Sequence, residues 1–110
     1  MSKKRKHRVW GTAERPRLVV YRSLRYMHAE LIDDTQGKVL FGLFDKSKVV
    51  QDALKEAKTK TERSYALGKL FAEQAKKKKV SRIVFDRNGH IYHGRIKAFA
   101  EGAREGGLDF

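Results

Sequence analysis

The chain has 110 residues, 40% of them hydrophobic, no cysteine, and a formal net charge of +13 at pH 7. This length supports one hydrophobic core and not two, and the lack of Cys excludes disulfides and thiolate metal sites. The charge excess far exceeds what solubility requires, so a polyanionic partner is the first expectation.

Residues 1–28 hold nine Lys or Arg against one Glu, whereas 29–110 hold seventeen against twelve acidic residues. The opening MSKKRKHRVWGTAERP has no periodicity, and Pro16 biases the residues before it away from helix. It reads as a flexible basic arm over residues 1–16, where Lys3, Lys4, Arg5, Lys6, Arg8 and Arg15 displace counterions from a nucleic acid. A single domain over 17–110 follows. The longest apolar run, VLFGLF at 39–44, is too short to cross a bilayer, and no apolar signal core follows the basic start. Neither export nor a membrane partner is expected, and the absence of Cys suits a cytoplasmic setting.

From Arg17, RLVVYR and YMHAELID are rich in β-branched and aromatic residues, and GKVLFGLF follows the turn-like DDTQG. These predict an antiparallel meander of three strands. Alternation in the second sets Met27, Ala29 and Leu31 on the core face and Tyr26, His28, Glu30 and Ile32 on the other. Gly42 marks a bulge or a close backbone approach. After Asp45 the period becomes helical, with Val49, Val50, Ala53, Leu54 and Ala57 on one face behind an N-cap at Ser47.

The capping-box pair Thr59 and Glu62 opens a longer helix, whose buried side runs through Leu67, Leu70, Phe71 and Gln74 or Ala75. Gly68 lowers its helix propensity and predicts that a neighbouring element approaches there. RIVFD at 82–86 has the continuous apolar character of a strand buried on both faces and reached by a crossover, which makes the sheet mixed. Ile96, Phe99, Ala100 and Ala103 form a last apolar helical face, stopped by Gly106 and Gly107, with Leu108 and Phe110 folding back onto the core. The order is β-β-β-α-α-β-α, in the α/β class.

Chemistry-bearing residues concentrate in VFDRNGHIYHGR at 84–95. Asp86 ends a strand, where α/β proteins place ligands. His90 and His93 are three apart but flanked by glycines and without further ligands, so no metal site is expected. Asp33, Asp34 and Asp86 are the carboxylates available to a metal-dependent ribonuclease, yet neither a second-metal arrangement nor a nucleophile motif accompanies them. No catalysis, cofactor or small-molecule substrate is expected.

Phosphate binding accounts for more of this segment. A Gly-flanked turn exposes amides, a helix begins near His93 with its positive dipole end, and Arg87, Arg95 and Lys97 add charge. His90, Tyr92 and His93 offer rings that stack on unpaired bases or cover the sheet edge. A second surface, YRSLRYMH, interleaves Arg22, Arg25, Tyr26 and His28 around a hairpin turn. No helix-turn-helix or zinc finger accompanies them, which favours irregular RNA over duplex DNA. The KKKK at 76–79 opposes a helix dipole and needs no RNA to explain it. A nonspecific binder acting through charge alone is the alternative.

The strings GTAERPRLVVYRS, AELIDDTQGKVL and FDRNGHIYHGRIKAFAEGAREGGLDF resemble the bacterial large-subunit ribosomal proteins of the L-eighteen family, over nearly the whole chain after residue 8. The resemblance implies a three-layer α/β/α fold with a ribonuclease-H-like motif and no catalysis. It also implies binding to 5S rRNA and help in attaching it to 23S rRNA in the central protuberance, beside neighbouring ribosomal proteins. The family's basic arm falls on Lys3, Lys4, Arg5, Lys6 and Arg8. Its RNA-facing sheet and loop fall on Arg17, Arg22, Arg25, Tyr26, His28, Arg87, Tyr92, His93 and Arg95. The chain departs from the family pattern at KKKKVS, where a Gly-containing turn is usual, and at VLFGLF and DRNGH.

Overall fold

In the computed structural model, which describes residues 9–110, the alternating stretches form β1 (Arg17–Arg22), β2 (Met27–Asp33) and β3 (Lys38–Phe44). β1 pairs antiparallel with β2 and β2 with β3, while β4 (Val84–Asp86) adds parallel to β1, giving the order β3-β2-β1-β4. The α/β class, the mixed sheet and the order of elements are those expected. Register sets Leu18 opposite Leu31 and Val20 opposite Ala29 on one face, and Val19 opposite Glu30 and Tyr21 opposite His28 on the other.

The helices are α1 (Lys48–Ala53), α2 (Lys60–Lys77) and α3 (Gly94–Glu105). Thr59 caps α2 by accepting from the Glu62 N–H at 3.0 Å, and Glu62 reaches back to the Lys58 N–H at 2.8 Å. Val50 of α1, Leu67, Phe71 and Ala75 of α2, and Ile96, Phe99 and Ala103 of α3 share one cluster with Leu18, Val20, Met27, Ala29 and Leu31. All three helices therefore bury their apolar faces against the same side of the sheet. The arrangement is a helical layer packed on an open mixed sheet. The reason is legible in β2: His28 and Glu30 alternate onto the opposite face and deny it the continuous apolar surface a second helical layer would need. Among the described residues no helix covers that face.

Two local expectations change. β4 lies at an edge of the sheet, and Val84 and Phe85 are only half-buried, because the chain crosses over to the outer side of β1 instead of entering the middle. The bulge in β3 falls at Leu40, between the pairs Leu31–Phe41 and Ile32–Val39. Gly42 serves the other role: a Cβ there would sit 3.0 Å from the Ala29 carbonyl oxygen.

The turn after α2 carries the departure noted at KKKKVS. The Val80 N–H donates to the Ala75 carbonyl at 2.9 Å and closes the helix in a Schellman-type cap, which places Lys79 at φ 65. A side chain in this left-handed region is strained by about 1–2 kcal/mol. Lys79→Gly is therefore expected to raise stability by roughly 1 kcal/mol, a part of the relief being lost to the freer unfolded chain. A higher urea midpoint with an unchanged m-value would show it; a lower one would mean the lysine side chain makes a compensating contact.

Candidate nucleic-acid interface

On the uncovered face the outward rings of β1, β2 and β3 meet. Tyr21 stacks on His28 with centroids 5.4 Å apart, Phe44 lies 5.5 Å from His28 and 6.0 Å from Tyr26, and the Lys46 ammonium stands 5.4 Å over the Tyr26 ring. The cluster lines a shallow groove of about 260 Å³ together with Arg22, Ser23 and Met27. Phe44 is 43% and Tyr21 39% exposed, so flat apolar surface is open to a ligand. Partial burial, followed by the nearby Glu30 charge, raises the Tyr21 pKa and keeps the phenol neutral. Rings flanked by Arg22 and Lys46 suit bases that stack beside phosphates.

The base of the same face is closed by an ion-pair network. Arg17 is 8% exposed; its Nε and Nη2 donate to Asp34 at 2.8 and 3.0 Å, and its Nη1 donates to Asp86 at 2.7 Å. Hydrogen bonding to Asp34, the largest cause, raises the Arg17 pKa further above its ordinary value despite desolvation. Asp34 also accepts the Gly11 N–H at 2.8 Å, and the Gly11 carbonyl accepts the Asp34 N–H at 3.0 Å, so part of the stretch expected as arm is fastened to the sheet end. Arg17, expected on the RNA-facing surface, is thus spent inside the fold. The same geometry commits the carboxylates of the ribonuclease alternative: Asp34 and Asp86 to Arg17, and Asp33 to the Thr35 N–H and hydroxyl.

A second concavity, of about 430 Å³, opens between the β1–β2 hairpin and the starts of α2 and α3, lined by Arg22, Lys60, Thr61, His93, Gly94 and Arg95 among others. Arg95 Nη1 donates to the Ser23 and Leu24 carbonyls at 3.1 and 3.3 Å, and Lys60 Nζ donates to Leu24 at 2.7 Å. Burial first, and repulsion by Arg22 second, pull the Arg95 pKa below its ordinary value.

The sequence-predicted residues divide accordingly. Arg22, Tyr26 and His28 come together at the groove, and Arg22, His93 and Arg95 at the cleft. Arg15, Arg25 and Lys97 are exposed but line neither. Arg87 Nη1 bonds the His90 carbonyl at 3.3 Å within its own loop. Tyr92 turns toward the C-terminus, with its hydroxyl accepting from Arg104 at 3.1 Å and its ring against Phe85. Lys3, Lys4, Arg5, Lys6 and Arg8 lie outside the described residues. Sequence reasoning missed Tyr21, Lys46 and Lys60. Tyr21 had a signal, the alternation of β1, whereas Lys60 is brought to the hairpin only by the tertiary crossover.

A half-covered α/β sheet bearing rings and cations, with Asp34 and Asp86 paired to Arg17, has the surface chemistry of a nucleic-acid-binding protein. Comparison with known proteins agrees in kind. The sequence profile of the family described as "Ribosomal L18 of archaea, bacteria, mitoch. and chloroplast" matches residues 2–110. The large ribosomal subunit protein uL18 of Caldicellulosiruptor saccharolyticus is 44% identical over 108 residues, covering 98% of this chain and 86% of that protein. Its counterpart in Lactobacillus acidophilus is 50% identical over 103 residues, covering 94% and 83%. The chain belongs to the ribosomal L18 family. It is a structural, RNA-binding constituent of the large ribosomal subunit and not an enzyme, which in bacteria places it in the cytoplasm.

Proposed function

We propose that the chain binds 5S rRNA through the ring-lined groove and the adjoining cations, and helps attach it to 23S rRNA in the central protuberance beside neighbouring large-subunit proteins. The observation that carries this reading is the uncovered sheet face, where Tyr21, Tyr26, His28 and Phe44 are held edge to face and stacked next to Arg22 and Lys46. A purely electrostatic binder would have no use for four exposed or half-exposed rings gathered on a strand surface. The basic residues supply attraction and the rings supply selectivity for unpaired, irregular RNA.

A titration of 5S rRNA against a length-matched unrelated duplex, each at two salt concentrations, tests the reading. Preference for 5S rRNA is expected to survive added salt while duplex binding is lost. Arg95→Ala is expected to weaken 5S binding by tenfold or more, against about twofold for Lys78→Ala, because Lys78 ends α2 away from the groove and the cleft. Equal losses for the two variants, or equal salt collapse of both RNAs, would leave only nonspecific charge.

A further inference from the structure

The cleft between the hairpin and the two helix starts has features that the ring-lined groove lacks. Arg22, Lys60 and Arg95 line it without a carboxylate among the lining residues. Among the described residues, the acidic group that acts on Arg95 is Asp45, whose Oδ1 already accepts the Met27 N–H at 3.0 Å. Two of the cations are fixed at the cleft by the Ser23 and Leu24 carbonyls, so their positions do not depend on a ligand. The Arg95 Nε is buried and has no acceptor among the described residues, an arrangement that costs stability. The first turn of α3 also faces this space through Gly94, Arg95 and Ile96; its N-cap His93 makes no side-chain cap bond and the turn holds no acidic residue.

We infer that this cleft seats a single phosphate of the RNA backbone, gripped by Arg22, Lys60 and the Arg95 guanidinium against the first turn of α3. A tetrahedral anion satisfies several donors at once, which neither a base edge nor a carbonyl does. Arg22 lines both the cleft and the groove, so one bound strand offers a stacked base and a nearby phosphate to the same side chain. The RNA source of the phosphate rests on the function proposed above, whereas the affinity of the cleft for phosphate does not.

Two arms test this on the full chain. In the first, arginine Nε–Hε resonances are followed by NMR as inorganic phosphate replaces chloride at constant ionic strength. The Arg95 signal is expected to move saturably while those of exposed Arg25 and Arg87 do not, and Arg22→Gln is expected to weaken the response at least tenfold. A linear or absent Arg95 response overturns the site.

In the second arm, phosphates of 5S rRNA are ethylated at random and those that block binding are mapped. Arg22→Gln, a substitution at an exposed position, is expected to become indifferent to ethylation at one phosphate and to keep the remaining pattern. An unchanged pattern overturns the assignment to the RNA backbone, even if inorganic phosphate saturates the cleft. Should the earlier titration show no preference for 5S rRNA, the proposed function fails while the NMR arm still decides the cleft.

Discussion

Arg17→Met is expected to destabilise the protein by about 3 kcal/mol, toward the lower end of the roughly 3–5 kcal/mol found when one partner of a buried ion pair is removed. The methionine fills much the same volume but takes the guanidinium fork away from Asp34 and Asp86. Their side chains are 13% and 11% exposed, so water compensates only in part. Backbone donors soften the loss, since Asp34 keeps the Gly11 N–H and Asp86 keeps the Asn88 N–H at 2.8 Å. Arg17→Lys retains a charge but not the fork that reaches two carboxylates, so its cost should fall near half that of the methionine. Urea denaturation of the three proteins gives the ranking directly. If Arg17→Met unfolds at the wild-type midpoint yet binds 5S rRNA poorly, then Arg17 is an RNA contact and the network is incidental.

The same residue shows where sequence reading stops. Alternation placed Met27, Ala29 and Leu31 on the core face, and the structure agrees, because period two in a strand needs no knowledge of the partner. The helix start at Thr59 was legible for a similar reason: a cap is a local hydrogen-bond problem. Arg17 was placed on the RNA-facing surface by the family resemblance, and nothing local corrected it, because its carboxylates lie 17 and 69 residues away in sequence. The cleft had the same obstacle, since Arg22, Lys60 and Arg95 come from a hairpin and two separate helices. Arg22 and Arg95 were read from their own segments, and the family resemblance matched them but could not separate them from Arg17, because a motif records which residues recur and not which way they point. Nor does a loop sequence say that the Tyr92 ring will lie against Phe85 and its hydroxyl accept from Arg104.

Gly68 was legible as a place of close approach, but its partner was not. The two glycines sit at one crossing: a Cβ on Gly68 would lie 2.1 Å from the Phe99 carbonyl oxygen, and a Cβ on Gly102 would lie 2.0 Å from the Tyr65 carbonyl oxygen. Each helix therefore presents a bare backbone to the other. By intrinsic propensity, alanine at either position should stabilise by roughly 0.8–1 kcal/mol. The crossing reverses the sign, because the obstructing atoms are helix backbone that cannot rotate aside, and the helices must part by an ångström or more. Parting them loosens the Phe71–Phe99 edge contact, at 6.0 Å between centroids, and the packing of Leu67 and Ala103 beneath it. Gly68→Ala and Gly102→Ala are each expected to cost about 3 kcal/mol net, the upper part of the usual range for overpacking. The double variant supplies the sharper measurement. One separation accommodates both methyl groups, so its cost should fall well short of the sum of the singles, with a coupling of roughly 1–3 kcal/mol in a denaturation cycle. Strict additivity would mean that the two clashes are relieved independently, by local distortion of each helix, and that α2 and α3 do not move as rigid bodies.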